Sequence, residues 1–501
     1  MVSFEIGCNF IFILKKSFTL KYFKSLCLVV FLGVFQSVSA RSANRLLVIS
    51  FDGFRWDYIH KANNLTSFHR MINDGGWAIH GIKNTFLTKT LPNHFTIATG
   101  LYEESHGVVG NVMYDPAFKE TFHGWLDKDA RDSKWWDNGG EPIWVTNQRQ
   151  DTQHRSGVLA WPGGLAIVKG ILAYKTESAF DGLTMKERAK KMIKWFKDDY
   201  PINLGLYYEN EPDETGHAFG PDSKEVLSKI YQLDNLLGDI LYDLEDNKLL
   251  ETTNIIVTSD HGMTPTPVKN DTLKINLDDY ISLNSYNITS KNPVAGIFPA
   301  SKELEDEIFQ NLSRIPHAHV YRKKDIPPEY HYTNNRRIPA IILEPEEHYW
   351  ISYNGSAGVN GEHGYNNSLT SMHPFFIAMG PDFKPGAKVD TFDNVDIYPL
   401  MCKLLQLKPA PNNGSLEIVS KLLVNRDSSG SSTFGVYILI LLLIGLVGGI
   451  FGVAVCQAHR EHRRRRLAVS SFSLPHSFRY SKSDRMPLMT NSSDDDFNDE
   501  S

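Results

Sequence analysis

Leu46-Leu47-Val48-Ile49-Ser50-Phe51, followed at once by Asp52-Gly53, is the stretch from which the architecture of this 501-residue chain can be read. A short, uninterrupted apolar run that stops at a turn signal suits a strand buried on both faces, as in parallel sheets. Three more runs share the pattern: Ile202–Tyr208 leading to Pro212-Asp213, Asn254–Thr258 leading to Asp260-His261-Gly262, and Phe375–Met379 ending at Gly380-Pro381. Helical periodicity lies between them. Val226, Ile230, Leu233, Leu237, Ile240 and Leu244 recur at three- and four-residue steps after a start signal at Asp222-Ser223, and Met185–Phe196 is a second such segment. Strands alternating with helices predict an α/β fold, a mostly parallel central sheet with helices on both faces.

Ligands bind at the carboxyl ends of the strands in such sheets. Asp52, Asp213 and Asp260 stand there, His217 and His261 accompany the last two, and a third imidazole occurs in Gly361-Glu362-His363-Gly364-Tyr365. Each taken alone is an ordinary turn or cap residue. Together they form a donor set of carboxylates and imidazoles without thiolate, which suits Zn²⁺ and, second, Mn²⁺. Six such ligands suffice for two ions, and two metals about 4 Å apart clamp the oxygens of an in-line phosphoryl displacement. The segment Thr88-Lys89-Thr90-Leu91-Pro92-Asn93-His94 then has two readings. Thr90 is a helix N-cap, with proline tolerated in the first turn, or it is a hydroxyl that a metal turns into a nucleophile.

Composition places the chain among globular proteins with a large core, at 42% hydrophobic and 22% charged residues, and a net charge of −6 argues against a nucleic-acid partner. Residues 1–40 read as a signal peptide: scattered lysines, the apolar run Leu26–Phe35, and small residues at Val38 and Ala40. Phe434–Cys456 is free of charge and long enough to cross a bilayer core of about 30 Å. Arg460 and Arg463–Arg466 follow it, which predicts a single-pass type I protein of the cell membrane with residues 41–425 extracellular, 426–433 a stalk and 457–501 a cytoplasmic tail. Cys402 is then the one cysteine of the extracellular part, so that part is held by its core and not by a disulfide. Asn-X-Ser/Thr sites at Asn64, Asn270, Asn287, Asn311, Asn354, Asn366 and Asn413 suit a secretory route.

From about Leu46 to about residue 425 the chain resembles the ectonucleotide pyrophosphatase/phosphodiesterases of the alkaline-phosphatase superfamily. The resemblance rests on Phe51-Asp52-Gly53-Phe54-Arg55, on Thr88-Lys89-Thr90 with Pro92-Asn93-His94, on Glu211-Pro212-Asp213 with Gly216-His217, on Ser259-Asp260-His261-Gly262-Met263, and on Gly361–Tyr365. It is similar to the short, single-pass members 4 and 5, most to member 5, since the cysteine-rich and nuclease-like modules of longer members are missing. The resemblance implies an alkaline-phosphatase-like fold and two zinc ions. It implies that Thr90 is the nucleophile and a ligand of one zinc with Asp52, Asp260 and His261, while Asp213, His217 and His363 hold the other. Asn111 would donate its amide to the phosphoryl oxygen, helped by N–H groups at the helix start. The implied reaction has two steps, through a phospho-threonine that water then cleaves.

Two places depart from the family pattern. Leu91 follows the nucleophile where an aromatic residue is expected to stack on the base. Gly164-Leu165 follows Trp161-Pro162-Gly163 where a hydroxyl residue and Asp are expected. Tyr174 or Phe180 is the expected source of a replacement ring face. The first expectation for substrate is a nucleotide phosphodiester or pyrophosphate, including dinucleotides such as NAD. The alternatives are a lysolipid or choline-phosphate diester, an alkaline-phosphatase-like monoesterase, and a signalling or adhesion ectodomain with little turnover.

Overall fold

The computed structural model describes residues 45–178, 182–266, 271–425 and 430–469. The expected signal peptide, Phe180, the Asn270 glycosylation site, residues 426–429 and the tail from 470 onward lie outside the described residues. The chain divides into two units, one ending at Val424 and one beginning at Asn425.

The first unit is organised by an eight-stranded sheet. In chain order its strands are β1 (Arg45–Phe51), β2 (Gly76–Ala78), β3 (Ser156–Leu159), β4 (Lys175–Glu177), β5 (Leu204–Glu209), β6 (Thr253–Thr258), β7 (Phe376–Met379) and β8 (Ala387–Val389). They lie in the order β8-β2-β7-β6-β1-β5-β3-β4. β1 is central and pairs in parallel with β5 and β6, Ile49 facing both Tyr207 and Val257. Its apolar run is continuous because both faces are covered. Leu46 and Val48 enter one core with Phe95, Ile97, Trp144 and Leu400. Leu47, Ile49 and Phe51 enter the other with Ile230, Leu233, Leu237 and Met192. Successive strand residues point to opposite faces, so each sealed position contributes about 1.5–3 kcal/mol to one core or the other.

The expected helices form for the reasons their sequences carry. The helix Lys224–Asp246 starts at Ser223, whose side chain accepts the N–H of Val226, and it buries all six periodic apolar positions. The helix Met185–Trp195 begins with a capping box between Thr184 and Glu187.

The sheet is mostly parallel, as expected, and two features go beyond that expectation. The sheet is mixed, because β7 runs antiparallel to β6, with Phe376 beside Thr258 and Met379 beside Ile255. The chain re-enters the sheet from the carboxyl end of β6, after the loop that carries His363, so the only direction open to β7 is back across the layer. The second feature is an inserted antiparallel sheet of Tyr286–Ile288, Ala295–Pro299, Ile341–Pro345 and Ala318–Arg322. Its helix, Lys302–Leu312, packs on a separate small core that includes Ile297, Ile308, Leu312 and Leu343. Its strands have three to five residues, too short to show a clear period of two.

The second unit contains one helix, Gly430–Val469. Among the described residues the stretch long and apolar enough to cross a membrane is Leu443–Leu467. Its last turns include Arg460 and Arg463–Arg466, so its charge-free part ends just before Arg460.

The packing of Lys224–Asp246 can be checked directly. Leu237→Ala, at a fully buried position, is expected to lower the unfolding free energy by about 2–5 kcal/mol, whereas Tyr242→Ala on the exposed side should stay within about 0.5 kcal/mol. Denaturant midpoints of the two variants measure both.

Candidate active site

The carboxyl ends of β1, β5 and β6 deliver the three aspartates side by side. Asp52 follows β1 directly, and its backbone oxygen accepts the N–H of Asp213 at 3.1 Å. Gly53 makes this approach feasible: its φ is +65°, and a Cβ there would lie 2.9 Å from the Asp213 Cβ. Asp213 and His217 stand in a short helix, Asp213–Phe219. One helical turn sets them on one face, with His217 Nε2 3.3 Å from Asp213 Oδ2. His363 follows the two-residue strand Gly361–Glu362, which pairs with Thr264–Pro265 just beyond His261.

Two groups result. In one, His261 Nε2 lies 3.1 Å from Asp260 Oδ2 and 3.3 Å from Asp52 Oδ1. In the other, His217 and His363 meet Asp213, with His363 Nε2 3.5 Å from its Oδ1. Within each group the potential donor atoms all fall within 4.8 Å of one another. The groups adjoin, since the rings of His261 and His363 stack at a centroid distance of 3.4 Å.

Hydrogen bonding of the remaining atoms shows which electron pairs are left over. The Nδ1 atoms of His217, His261 and His363 lie 2.7, 2.9 and 2.8 Å from the backbone oxygens of Gly361, Gly262 and Thr88. Only a protonated Nδ1 can serve a carbonyl, so every Nε2 lone pair faces the pocket. Asp260 Oδ1 accepts the N–H of Gly53 and of His261 and the Ser259 hydroxyl. Asp52 Oδ2 accepts the Tyr208 hydroxyl. The oxygens left buried without a hydrogen-bond partner include Asp52 Oδ1, Asp213 Oδ1 and Asp260 Oδ2. Burial, with the Asp260 and Asp213 charges, holds the Asp52 carboxyl well above the usual range. Burial acts on Asp260 in the same direction, but His261 and His94 outweigh it and hold that carboxyl low. Burial keeps His363 well below an ordinary histidine, aided by His261 and Lys89. The inward-facing carboxylate oxygens and imidazole Nε2 atoms form a donor set that fits divalent cations.

Thr90 is the first residue of the helix Thr90–Thr99, with Lys89 in the cap position. Its hydroxyl is not a cap; Oγ1 lies 3.3 Å from His261 Nε2. The turn before it is pinned by Asn93, whose amide group donates to the Leu87 and Lys89 carbonyls at 3.2 and 2.9 Å. That grip holds Leu87 at a φ of +54°, a conformation costly for a branched side chain. Asn111 Oδ1 accepts the Leu91 N–H at 2.9 Å. The Leu91 N–H is thus committed to aiming the Asn111 amide and is not itself open to a ligand.

Asp52, Thr90, Leu91, Asn111, Tyr208 and Asp213 line a cavity of about 410 Å³. Tyr174 is not among the lining residues. It precedes β4, and its ring lies 5.6 Å from the guanidinium of Arg155, which precedes β3. β3 and β4 are parallel, Gly157 beside Lys175, so both residues stand at the end of the sheet opposite the aspartates. Ser178, just past the other end of β4, lines the cavity instead. The sequence reading assigned no role to Tyr208, Ser259 or Asn93. Tyr208 had a signal in being a polar tip on a buried strand; the other two had only their place beside residues already singled out.

A family model described as type I phosphodiesterase / nucleotide pyrophosphatase matches residues 46–366. The mouse bis(5'-adenosyl)-triphosphatase is 41% identical over 416 residues, 82% of this chain and 89% of that protein. Human ectonucleotide pyrophosphatase/phosphodiesterase family member 5 is 39% identical over 382 residues, 76% of this chain and 78% of the relative. Among solved structures, murine ectonucleotide pyrophosphatase/phosphodiesterase 5, in an inactive threonine-to-alanine form with AMP, superposes with a TM-score of 0.72. It is 38% identical and covers 76% of this chain and all of its own.

Removing an orienting partner should be felt by bound metal. Tyr208→Phe is expected to weaken divalent-cation affinity about 10- to 100-fold, measured by competition with a chromophoric chelator.

Proposed function

The chain belongs to the type I phosphodiesterase / nucleotide pyrophosphatase family, and on that footing we propose that it is a two-zinc, cell-surface enzyme. Its reaction is the hydrolysis of nucleotide phosphodiester or pyrophosphate bonds, dinucleotides such as NAD among them, through a phospho-threonine. The observation that carries this reading is the Thr90 hydroxyl lying 3.3 Å from His261, at the edge of a carboxylate–imidazole group whose inward oxygens have no hydrogen-bond partner among the described residues. The substrate class is supported by relatives that include a bis(5'-adenosyl)-triphosphatase and a structure with AMP.

Asp52, Asp260, His261 and Thr90 would hold one zinc, and Asp213, His217 and His363 the other. When bound, the ions act as Lewis acids that favour the Thr90 alkoxide and offset charge on the phosphoryl oxygens. Thr90 Oγ1 forms the new bond to phosphorus as the leaving oxygen departs on the opposite side. Asn111, aimed by Leu91, donates its amide to a phosphoryl oxygen, where charge grows in the transition state. Water then attacks the phospho-threonine and restores the Thr90 hydroxyl. Burial of the donor groups keeps them rigid, so little reorganisation accompanies each step.

The surface location rests on Gly430–Val469 crossing the membrane at its apolar part, with Arg460 and Arg463–Arg466 on the cytoplasmic side. Residues 1–40 would be removed as a signal peptide, leaving 41–425 outside and 426–433 as a stalk. No nucleic-acid partner is part of this reading.

Product analysis on a panel of nucleotide and lysolipid esters tests it. Nucleoside monophosphate release is expected, with activity lost on chelation and regained with zinc, and Thr90→Ala should cut turnover at least about 10³-fold while AMP still binds. Full activity without metal, or preference for the lysolipid ester, would reject the reading.

A further inference from the structure

The geometry points to Trp125 as the residue that receives the planar group of the substrate, a nucleobase or aryl ring stacking on its exposed indole face. This rests on the proposed nucleotide-type reaction and names the residue that would set its specificity.

Trp125 lines the same cavity as Thr90, Asn111 and Asp213, yet its side chain is 58% exposed. An indole open to water at the wall of the cavity presents a broad ring face to whatever enters it. The loop beneath it is firmly built. Gly124 N–H donates to the Asn111 carbonyl at 3.0 Å, which ties the position of Trp125 to the residue aimed at the phosphoryl group. Leu126 N–H donates to the His123 carbonyl at 2.9 Å, closing a turn around the tryptophan. Asp129 Oδ2 accepts the His123 N–H at 2.9 Å, and its carbonyl accepts the Trp136 indole N–H at 3.2 Å.

Leu91 and Gly124 fit each other in the same place. A Cβ on residue 124 would fall 2.1 Å from Leu91 Cδ1 and 3.1 Å from the Asn111 oxygen. The aliphatic side chain next to the nucleophile therefore fills the space that glycine leaves. The ring face is displaced from position 91 to position 125. Tyr174, at the opposite end of the sheet, cannot provide one. Ring faces accept any base, so the contact adds affinity for planar groups more than it discriminates among them.

The test compares two substrates with one leaving group: the p-nitrophenyl ester of thymidine 5'-monophosphate and methyl p-nitrophenyl phosphate, which has no base. Trp125→Ala in the full chain is expected to lower the ratio of their kcat/KM values about tenfold, and Trp125→Phe by less than about threefold. In the full chain carrying Thr90→Ala, adding Trp125→Ala should weaken the Kd for AMP about tenfold. A ratio and a Kd that stay unchanged, or a Phe variant as impaired as the Ala variant, would overturn the assignment. A wild-type chain that cleaves neither ester would instead reject the proposed reaction, with AMP binding still deciding the role of Trp125.

Discussion

Three carboxylates converge at the carboxyl ends of neighbouring strands, each with one oxygen that has no hydrogen-bond partner among the described residues. Like charges in a buried place oppose folding, because desolvation and mutual repulsion act in the same direction. The surrounding structure does not relieve the problem by neutralising Asp52, Asp213 and Asp260 with arginine or lysine. It ties down their outer oxygens with Tyr208, Ser259 and backbone N–H groups, and turns three imidazole lone pairs toward the same space. The resulting set of oxygens and imidazole nitrogens suits divalent cations, and its neighbours are the groups that hold it in place.

Topology brings these groups together. The parallel strands place Asp52, Asp213 and Asp260 on adjacent loops by sheet geometry alone. His363 is different: it precedes its strand. It reaches the same end only because β7 runs against its neighbour and starts where the others finish. The inserted antiparallel sheet lies in the chain between the His261 loop and the His363 loop. It carries its own small core, so a long excursion separates two ligands without loosening either.

Thr90, the proposed nucleophile, is held by a similar set of fixed positions. Asn93 holds the preceding turn, the helix starts at Thr90, and the Leu91 N–H fixes Asn111. A single backbone segment therefore sets the Thr90 hydroxyl and the Asn111 amide relative to each other. The Gly124 N–H extends that frame to the cavity wall through the Asn111 carbonyl.

The strands, the main helices and the Asp/His groups that could bind metal were legible in the sequence, because buried strands, amphipathic faces and Asp/His pairs at strand ends are local patterns. Ser223, Thr184 and the six apolar positions of Lys224–Asp246 behave as their neighbours in sequence require. What the sequence could not carry was direction and reach. The antiparallel course of β7, the helical setting of Asp213 and His217, and the far placement of Tyr174 depend on residues tens or hundreds of positions away. So does the exposure of Trp125, whose surroundings are assembled from several separate segments. Local chemistry by itself determined which groups could bind metal and attack phosphorus. Only tertiary structure decided which of them meet, since distances between strand ends are set by sheet order and packing and not by the chain's own periodicity.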